Sequence, residues 1–358
     1  MSKRNLIIGG IVLSLVLVAI AAPKIMLFLA GNAKSVNETP TVFYIKEPLD
    51  LDQLATQLKD QGIIEDTKGF VSVAEYKGLT KDKIALGKYL IEESTSFRAM
   101  LNGFTKNANG NGNAELEVEV TFTNCRDIYQ MSSKLSKILA LDSARLVNYL
   151  LDGNTLNRLG FTVEQLPAMF IPDTYKMFYD TDEELFVDRM AAEFKQFWTA
   201  DRKVKLKKVG LESPSQAVTL ASIVYSEQSV NSDEWPVIAG LYLNRVNQGM
   251  KLQSDPTFKF CWGDKLKGVQ RLLNVHRDIA CPYNTYKIKG LPPGPICLPS
   301  PKVVDAVLNR ADVKYIYMCA KPDYSGRHNF AISGADHMKN ADIFQKWLAA
   351  ELRKKEGR

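Results

Sequence analysis

The sequence predicts an α+β protein built from an N-terminal single transmembrane helix, a small βααβ module and a larger mixed α+β domain. Three observations carry this reading. An almost unbroken apolar run fills Leu6–Gly31. Strand, helix, helix and strand patterns follow one another within residues 42–91. The remainder mixes helical periodicity with one plainly alternating strand and shows no internal repeat.

The apolar run is interrupted only by Ser14, Pro23 and Lys24. Its first 17 residues, Leu6–Ala22, sit at the short end of a membrane span. "IMLFLA" extends it if the Lys24 ammonium reaches back to the interface. Lys3 and Arg4 precede the run, so the positive-inside rule puts residues 1–5 in the cytoplasm and everything after residue 31 outside the inner membrane, on the periplasmic side. "AIA" at Ala19–Ala21 offers a cleavage site, but hydrophobicity continuing past Pro23 favours an uncleaved anchor over 6–31. "GNAKSVNETP", residues 32–41, reads as a polar tether.

"TVFYI" then reads as a strand. Leu51, Leu54, Ala55 and Leu58 keep helical spacing up to Gly62, and "FVSVAEYKG" suggests a second helix ending at Gly78. "KYLI" closes the module as an extended piece. Beyond it, "SFRAMLNGF" is a short helix, and Leu116, Val118, Val120 and Phe122 alternate with polar residues as a half-buried strand. Helical stretches follow over Asp127–Leu151 and Glu183–Phe197, separated by "FIPDTYKMFYD", which reads as an ordered loop. A last helix carries Ile343, Phe344, Trp347 and Leu348 into the polar tail 351–358.

The charge balance, 46 − 40 = +6, suits an anionic surface or polymer without identifying one. No phosphate-binding, dinucleotide-binding or zinc-ligand spacing is present, and the three His residues are too few for a His-rich metal centre. Nothing supports a nucleic-acid partner. With the domain outside the cytoplasm, the five Cys residues could form disulfides and would leave at least one thiol over, with the pairing open.

The most informative stretch is "SPSQAVTLASIVYSEQS", from Ser213 to Ser229. Ser213 suits the N-cap, Pro214 the first helical position, and Gln216 completes a capping-box pattern. Ala217, Leu220, Ala221 and Val224 then form an apolar face, and Glu227 falls on that face, three residues beyond Val224. A carboxyl at the edge of a buried surface either frays into solvent or is desolvated and protonated near neutral pH, able to donate a proton. Asn, Gln, Tyr and Gly crowd the loops that follow, as groups that bind sugars would. A conventional glycosidase needs a second carboxylate, for which Asp255 in "LQSDPT" is the candidate, although Asp255-Pro256 is also a turn signal.

"LASIVYSEQ", "LNRVNQGMKLQSDPT", "YNTYKIKGLPPGPI" and "GRHNF", in this order across residues 213–340, resemble the MltG (YceG-like) family of endolytic murein transglycosylases. "FIPDTY", the anchor and the module at 42–91, which looks like the family's LysM-like peptidoglycan-binding subdomain, extend the likeness. The resemblance implies a cytoplasmic N-terminus 1–5, an anchor 6–31, a linker 32–41, a LysM-like module 42–91, an intermediate α+β segment 92–204 and a catalytic core 205–350.

It implies that Glu227 is the catalytic glutamate of a lytic transglycosylase that cuts between N-acetylmuramic acid and N-acetylglucosamine inside a strand. The muramyl 6-hydroxyl would replace water, leaving a 1,6-anhydro end, with no cofactor or metal. The expected partners are peptidoglycan glycan strands, the cytoplasmic membrane and the wall-synthesis machinery, and the expected role is termination of new strands. Expected substrate contacts are Gln253, Asp255, Asn284, Tyr286, His328, Asp173 and Tyr175. Asn284 and Tyr286 are preferred among them because "GLPPGPI" fixes a loop shape behind "YNTY". Asn244 and Arg245 are expected to brace the fold, Arg245 against an acid; His328 either touches substrate or binds a backbone carbonyl, and His337 is structural. Tyr225 stands where relatives often have a glutamate. Two rival readings are a water-using muramidase with Asp255 as second carboxylate and a non-catalytic peptidoglycan-binding anchor.

Overall fold

The computed structural model describes residues 3–266, 269, 273–355 and 357; Met1 and Ser2 of the expected cytoplasmic segment and Glu356 and Arg358 of the tail lie outside it. The chain forms two compact units. The first runs to Val120 and takes back Ser136–Leu141 and Tyr175–Asp182; the second holds Thr121–Leu135, Asp142–Thr174 and the chain from Glu183 onward.

The first unit begins with α1 (Lys3–Asn32), which has Pro23 inside it. Its stretch Leu15–Asn32, with mean hydropathy 2.0, is long and apolar enough to cross a membrane. Leu27 and Ala30 near its end pack on the core beneath it. The order β1 (Thr41–Ile45), α2 (Leu51–Asp60), α3 (Thr67–Tyr76), β2 (Gly87–Ile91) reproduces the expected βααβ pattern, with β1 and β2 antiparallel. Asp50 and Gln53 cap α2 reciprocally, at 2.8 and 3.0 Å, which fixes its start.

Three expectations need correction here. The unit does not close at residue 91. Helix α4 (Phe97–Phe104) puts Phe97, Met100, Leu101 and Phe104 into the same core, and β3 (Glu115–Thr121) and β4 (Thr174–Phe178) continue the sheet in the order β1-β2-β3-β4. A two-stranded layer leaves an apolar edge and face uncovered, and these elements cover it. The stretch expected as an ordered loop around Asp173 therefore contains a strand. Nor are residues 32–41 a free tether: the Ser35 N–H donates to Thr95 at 2.8 Å and the Val36 N–H to Ile63 at 2.9 Å.

Within β3, Leu116 is 39% exposed and Glu115 is buried, the reverse of what alternation predicts. Glu115 is paired with Tyr89 of β2, and two residues along β2 Gly87 has no side chain; a Cβ there would lie 2.7 Å from the Glu115 carboxyl carbon. The space beside Gly87 admits the acid and turns the first residue of the strand inward.

The second unit is mainly helical. Helices α5 (Ile128–Leu135), α6 (Ser143–Leu151), α7 (Gly153–Leu159), α8 (Glu183–Phe197) and α9 (Ala200–Lys208) lead to α10 (Pro214–Glu227). After it come α11 (Trp235–Asn247), α12 (Asp255–Trp262), α13 (Asn274–Arg277), α14 (Pro301–Leu308), an antiparallel pair β5 (Tyr317–Ala320) and β6 (His328–Ala331), and α15 (Gly334–Lys355). The expected face of α10 is fully buried, but so are Thr219, Ser222 and Ile223 on its other sides. It is a central helix, with α9, α11, α12 and α14 packed around it. Ser213 caps it as expected, accepting from the Gln216 N–H at 3.3 Å. The Gln216 side chain, however, accepts from the Glu212 N–H at 2.9 Å and does not complete the box on Ser213.

A disulfide joins Cys261 at the end of α12 to Cys281, and Cys125, Cys297 and Cys319 are free thiols. The loop that follows Cys281 is shaped by its glycines. A Cβ on Gly294 would stand 1.8 Å from the Glu164 carbonyl oxygen, whereas Gly290 has open space around it but a φ of +77°. Gly294→Ala should therefore destabilise the protein by about 3 kcal/mol through overpacking against backbone, and Gly290→Ala by about 1 kcal/mol through backbone strain alone. Denaturant unfolding of the two variants measures the difference, and equal costs would contradict the close approach.

Candidate active site

Glu227 is the last residue of α10. A carboxylate there faces the negative end of the helix dipole, which favours its neutral form. Helix α11, packed on α10, brings the Tyr242 hydroxyl within 2.8 Å of Glu227 Oε1, to which it donates. The Ser254 hydroxyl donates to the same oxygen. Among the described residues no donor reaches Oε2. An acid whose carbonyl oxygen accepts two hydrogen bonds carries its proton on the other oxygen. Oε2 is thus the atom that would hold the proton.

Burial of the charged form pushes the Glu227 carboxyl above the usual carboxylate range. The hydrogen bonds from Ser254 and Tyr242 pull it back, the Asp255 charge adds to the rise and the His328 charge opposes it. Glu227 as a residue is only half-buried because part of its side chain borders the cleft, while the carboxyl itself lies among Tyr242 and Ser254.

Ser254 is held by a buried hydroxyl network. Its N–H donates to Thr285 Oγ1 at 3.0 Å, its carbonyl accepts from Thr257 Oγ1 at 2.6 Å, and the two threonine hydroxyls meet at 2.8 Å. Gln253, just before it, adopts a φ of +52°, an uncommon conformation for a non-glycine residue. The Arg245 guanidinium holds this turn from beneath, donating to the carbonyls of Leu252 at 2.8 Å and Ile316 at 2.6 Å. Its partners are backbone carbonyls and, at 3.5 Å, Gln253 Oε1, where an acid was expected. The Asn244 amide donates to the carbonyls of Val313 at 2.7 Å and Tyr315 at 3.0 Å.

Glu227, Tyr242, Gln253, Asp255, Tyr286 and His328 line one cleft of about 340 Å³. The Tyr286 hydroxyl donates to Asp255 Oδ1 at 2.5 Å, and Arg277 approaches Oδ2 at 3.6 Å. His328 Nδ1 lies 2.8 Å from Glu234 Oε2, and the His328 N–H donates to Oε1 at 3.0 Å. Burial raises the Glu234 carboxyl, but the bonds from His328 and from Gln228 outweigh it and leave it below its usual value. In this arrangement His328 Nδ1 is the ring nitrogen that donates to Glu234. His337 also borders the cleft, its ring stacked on Tyr317 at 5.0 Å.

Other expected contacts lie elsewhere. Asn284 is fully buried. Its amide donates to Arg277 and Ile279 carbonyls at 2.9 and 2.8 Å and its oxygen accepts from the Tyr286 N–H, so it shapes the loop from beneath. Asp173 is exposed and accepts from its neighbour Thr174, while Tyr175 is buried in β4 of the first unit. Tyr225 points to another side of α10, its hydroxyl 3.2 Å from Asn124 Oδ1. Tyr242, Ser254 and Glu234 are not among the residues expected from the sequence. Ser254 lies inside the "LQSDPT" motif between Gln253 and Asp255, and Tyr242 and Glu234 carry no separate sequence signal.

A cleft that holds one desolvated carboxyl among hydroxyl donors has the arrangement of a candidate acid–base site. The YceG-like family model matches residues 43–343, and the chain belongs to the YceG-like family. An endolytic murein transglycosylase of Bacillus subtilis (strain 168) is 28% identical over 284 residues, covering 75% of each chain. One of Streptococcus pneumoniae (strain R6) is 24% identical over 322 residues, 83% of this chain and 57% of the relative's length. A 2.6 Å crystal structure of a putative YceG-like protein from Listeria monocytogenes superposes with a TM-score of 0.54 at 21% identity, covering 85% of this chain and 99% of that one, and shows the shared fold.

The raised carboxyl carries a stability consequence. Folded Glu227 binds its proton more tightly than the unfolded chain does, so folding loses stability as pH rises through the folded value. Glu227→Gln keeps an acceptor for both hydroxyls and cannot ionise. At pH 8 it should melt above the wild type, with the gap narrowing toward pH 5. Thermal unfolding across that range checks this, and a variant no more stable at pH 8 would refute the desolvation.

Proposed function

We propose that this protein is a membrane-anchored endolytic lytic transglycosylase of peptidoglycan, with Glu227 as its only acid–base residue. The observation that carries the reading is the Glu227 carboxyl itself, desolvated at the end of α10 with Oε1 occupied by Tyr242 and Ser254 and Oε2 left for a proton. The names of the relatives from B. subtilis and S. pneumoniae supply the substrate class.

In this mechanism the Oε2 proton passes to the glycosidic oxygen between N-acetylmuramic acid and N-acetylglucosamine. The C1–O bond breaks with its electron pair going to that oxygen, and the muramyl C6 hydroxyl attacks C1. Glu227, now a carboxylate, takes the hydroxyl proton and is restored, while the sugar is left with a 1,6-anhydro ring. No water is consumed, so a second carboxylate is not required. Asp255, engaged by Tyr286 and Arg277, fits a role in shaping the cleft and contacting substrate together with Gln253, Tyr286 and His328.

The apolar span of α1 fits an anchor with Lys3 and Arg4 in the cytoplasm and both units outside the inner membrane. The βααβ order in the first unit supports a LysM-like role in holding glycan. Tethered cutting near the membrane suits termination of new strands beside the synthetic machinery.

Mass spectrometry of purified peptidoglycan digested by the detergent-solubilised chain tests the reaction. Internal fragments with anhydro-muramyl ends are expected, falling about 10²–10⁴-fold in Glu227→Gln. Reducing ends would indicate a muramidase, and intact glycan from both proteins a binding anchor. Removing a donor to the carboxylate raises the Glu227 value further, so Ser254→Ala and Tyr242→Phe should move the alkaline limb of the pH–rate profile to higher pH. A limb unmoved or shifted downward would separate Glu227 from that titration.

A further inference from the structure

The turn that leads into β6 is fastened to the loop that follows α10, and Gln228, the residue after Glu227, makes the connection. Its Nε2 donates to the Gly326 carbonyl at 2.8 Å and to Glu234 Oε2 at 2.9 Å. Its Oε1 accepts from the N–H groups of Val230 and Asn231 at 3.1 and 2.9 Å. With 3% exposure, Gln228 meets its hydrogen-bonding needs inside the protein. His328, two residues after Gly326, is thereby held at the same cleft as Glu227.

Glu234 is a buried acid that the proposed reaction does not use. It is 6% exposed, and burial raises its carboxyl, but the bonds from His328 and Gln228 outweigh this and keep it a carboxylate. A carboxylate only accepts, and here it faces three donors: the His328 N–H at 3.0 Å, His328 Nδ1 at 2.8 Å and Gln228 Nε2 at 2.9 Å. Two of the three come from one residue. Gripping both the backbone and the ring of His328 fixes the direction of the ring as well as the place of its proton.

With Nδ1 spent on Glu234, the polar atom that the ring can offer the cleft is Nε2. Among the described residues Nε2 has no partner, and it is not sealed from solvent. An imidazole that is neutral and donates through Nδ1 carries a bare lone pair on Nε2. Such an atom accepts a hydrogen bond and rejects another acceptor. Glycan sugars present the matching groups, hydroxyls and acetamido N–H.

We infer that Glu234 is a positioning residue for substrate: it holds His328 with Nδ1 protonated and Nε2 bare, so that Nε2 accepts from a hydroxyl or acetamido N–H of a sugar in the cleft. The inference rests on the glycan-cleaving reading proposed above. Glu234→Gln would meet the three donors with one acceptor oxygen, and its amide N–H₂ would draw the ring into the opposite tautomer. The ring would then present an N–H to a substrate N–H or O–H.

Two measurements test this on the detergent-solubilised full chain. The first is ¹⁵N NMR of the histidine rings at pH 8. The chain has only three histidines, so the signal lost in His328→Ala is identified directly. His328 should carry its proton on Nδ1, and a proton on Nε2 would overturn the inference without any Glu234 variant having to fold. The second is the affinity for soluble uncrosslinked glycan strands, measured by titration in a Glu227→Gln background where strands are bound but not cut. Adding Glu234→Gln or His328→Ala should weaken binding at least five-fold, and adding both should be within two-fold of His328→Ala alone. Effects that multiply would mean that Glu234 merely supports the fold, and unchanged affinity in either variant would equally overturn its role. The products made by the chain with native Glu227 decide the transglycosylase reading separately. Anhydro-muramyl ends together with uncoupled Glu234 and His328 would strike this inference alone.

Discussion

The second unit depends on one helix being buried on nearly every side. Helix α10 needs Ala, Ser and Thr as much as Leu, Ile and Val, because α11, α12 and α14 approach it closely and leave little room. Ser222 shows how the polar members are accommodated. Its hydroxyl donates to the Thr219 carbonyl at 2.7 Å and accepts from the Ile296 N–H at 3.0 Å, which ties the Gly- and Pro-rich loop to the helix. Once α10 is central, its last residue must emerge in a place lined by α11 and by the turn before α12. Glu227 is that residue.

Desolvation and hydrogen bonding act in opposite directions on it, and the balance is what makes the site chemically useful. Burial at a helix C-terminus favours the neutral acid, whereas two hydroxyl donors on one oxygen soften the cost of the carboxylate. A group that must give and then retrieve a proton needs both forms within reach. The neutral donors provide this without placing a fixed cation beside the carboxyl, which would hold it ionised. Such a site is bought at some expense in stability, and the turn at Gln253 with its positive φ belongs to the same arrangement.

The supporting residues explain why several polar groups with functional-looking motifs are not at the cleft. Asn284 sits in "YNTY", a stretch rich in sugar-binding residue types, yet its amide is consumed by carbonyls that would otherwise be unpaired. Arg245 does the same for the turn that presents Ser254. Residue type alone does not separate a group that binds a ligand from one that binds the loop beneath it, since both use the same donors and acceptors. The Cys261–Cys281 disulfide adds a covalent link between α12 and this loop.

The sequence by itself determined the local elements: the apolar first helix, the βααβ order, the start of α10 at Ser213 and the phase that puts Glu227 beyond its buried stripe. These follow from periodicity and capping, which act over a few residues. Tertiary structure decided the rest. It extended the first unit through α4, β3 and β4, because exposed sheet edges and faces find their partners at long range. It turned Glu115 inward, because Gly87 on the neighbouring strand leaves space for it. It also brought Tyr242 and Ser254 to one oxygen of Glu227 from positions 15 and 27 residues away. Whether a carboxyl is solvated or buried depends on what the distant chain packs around it, and no spacing within a single helix carries that information.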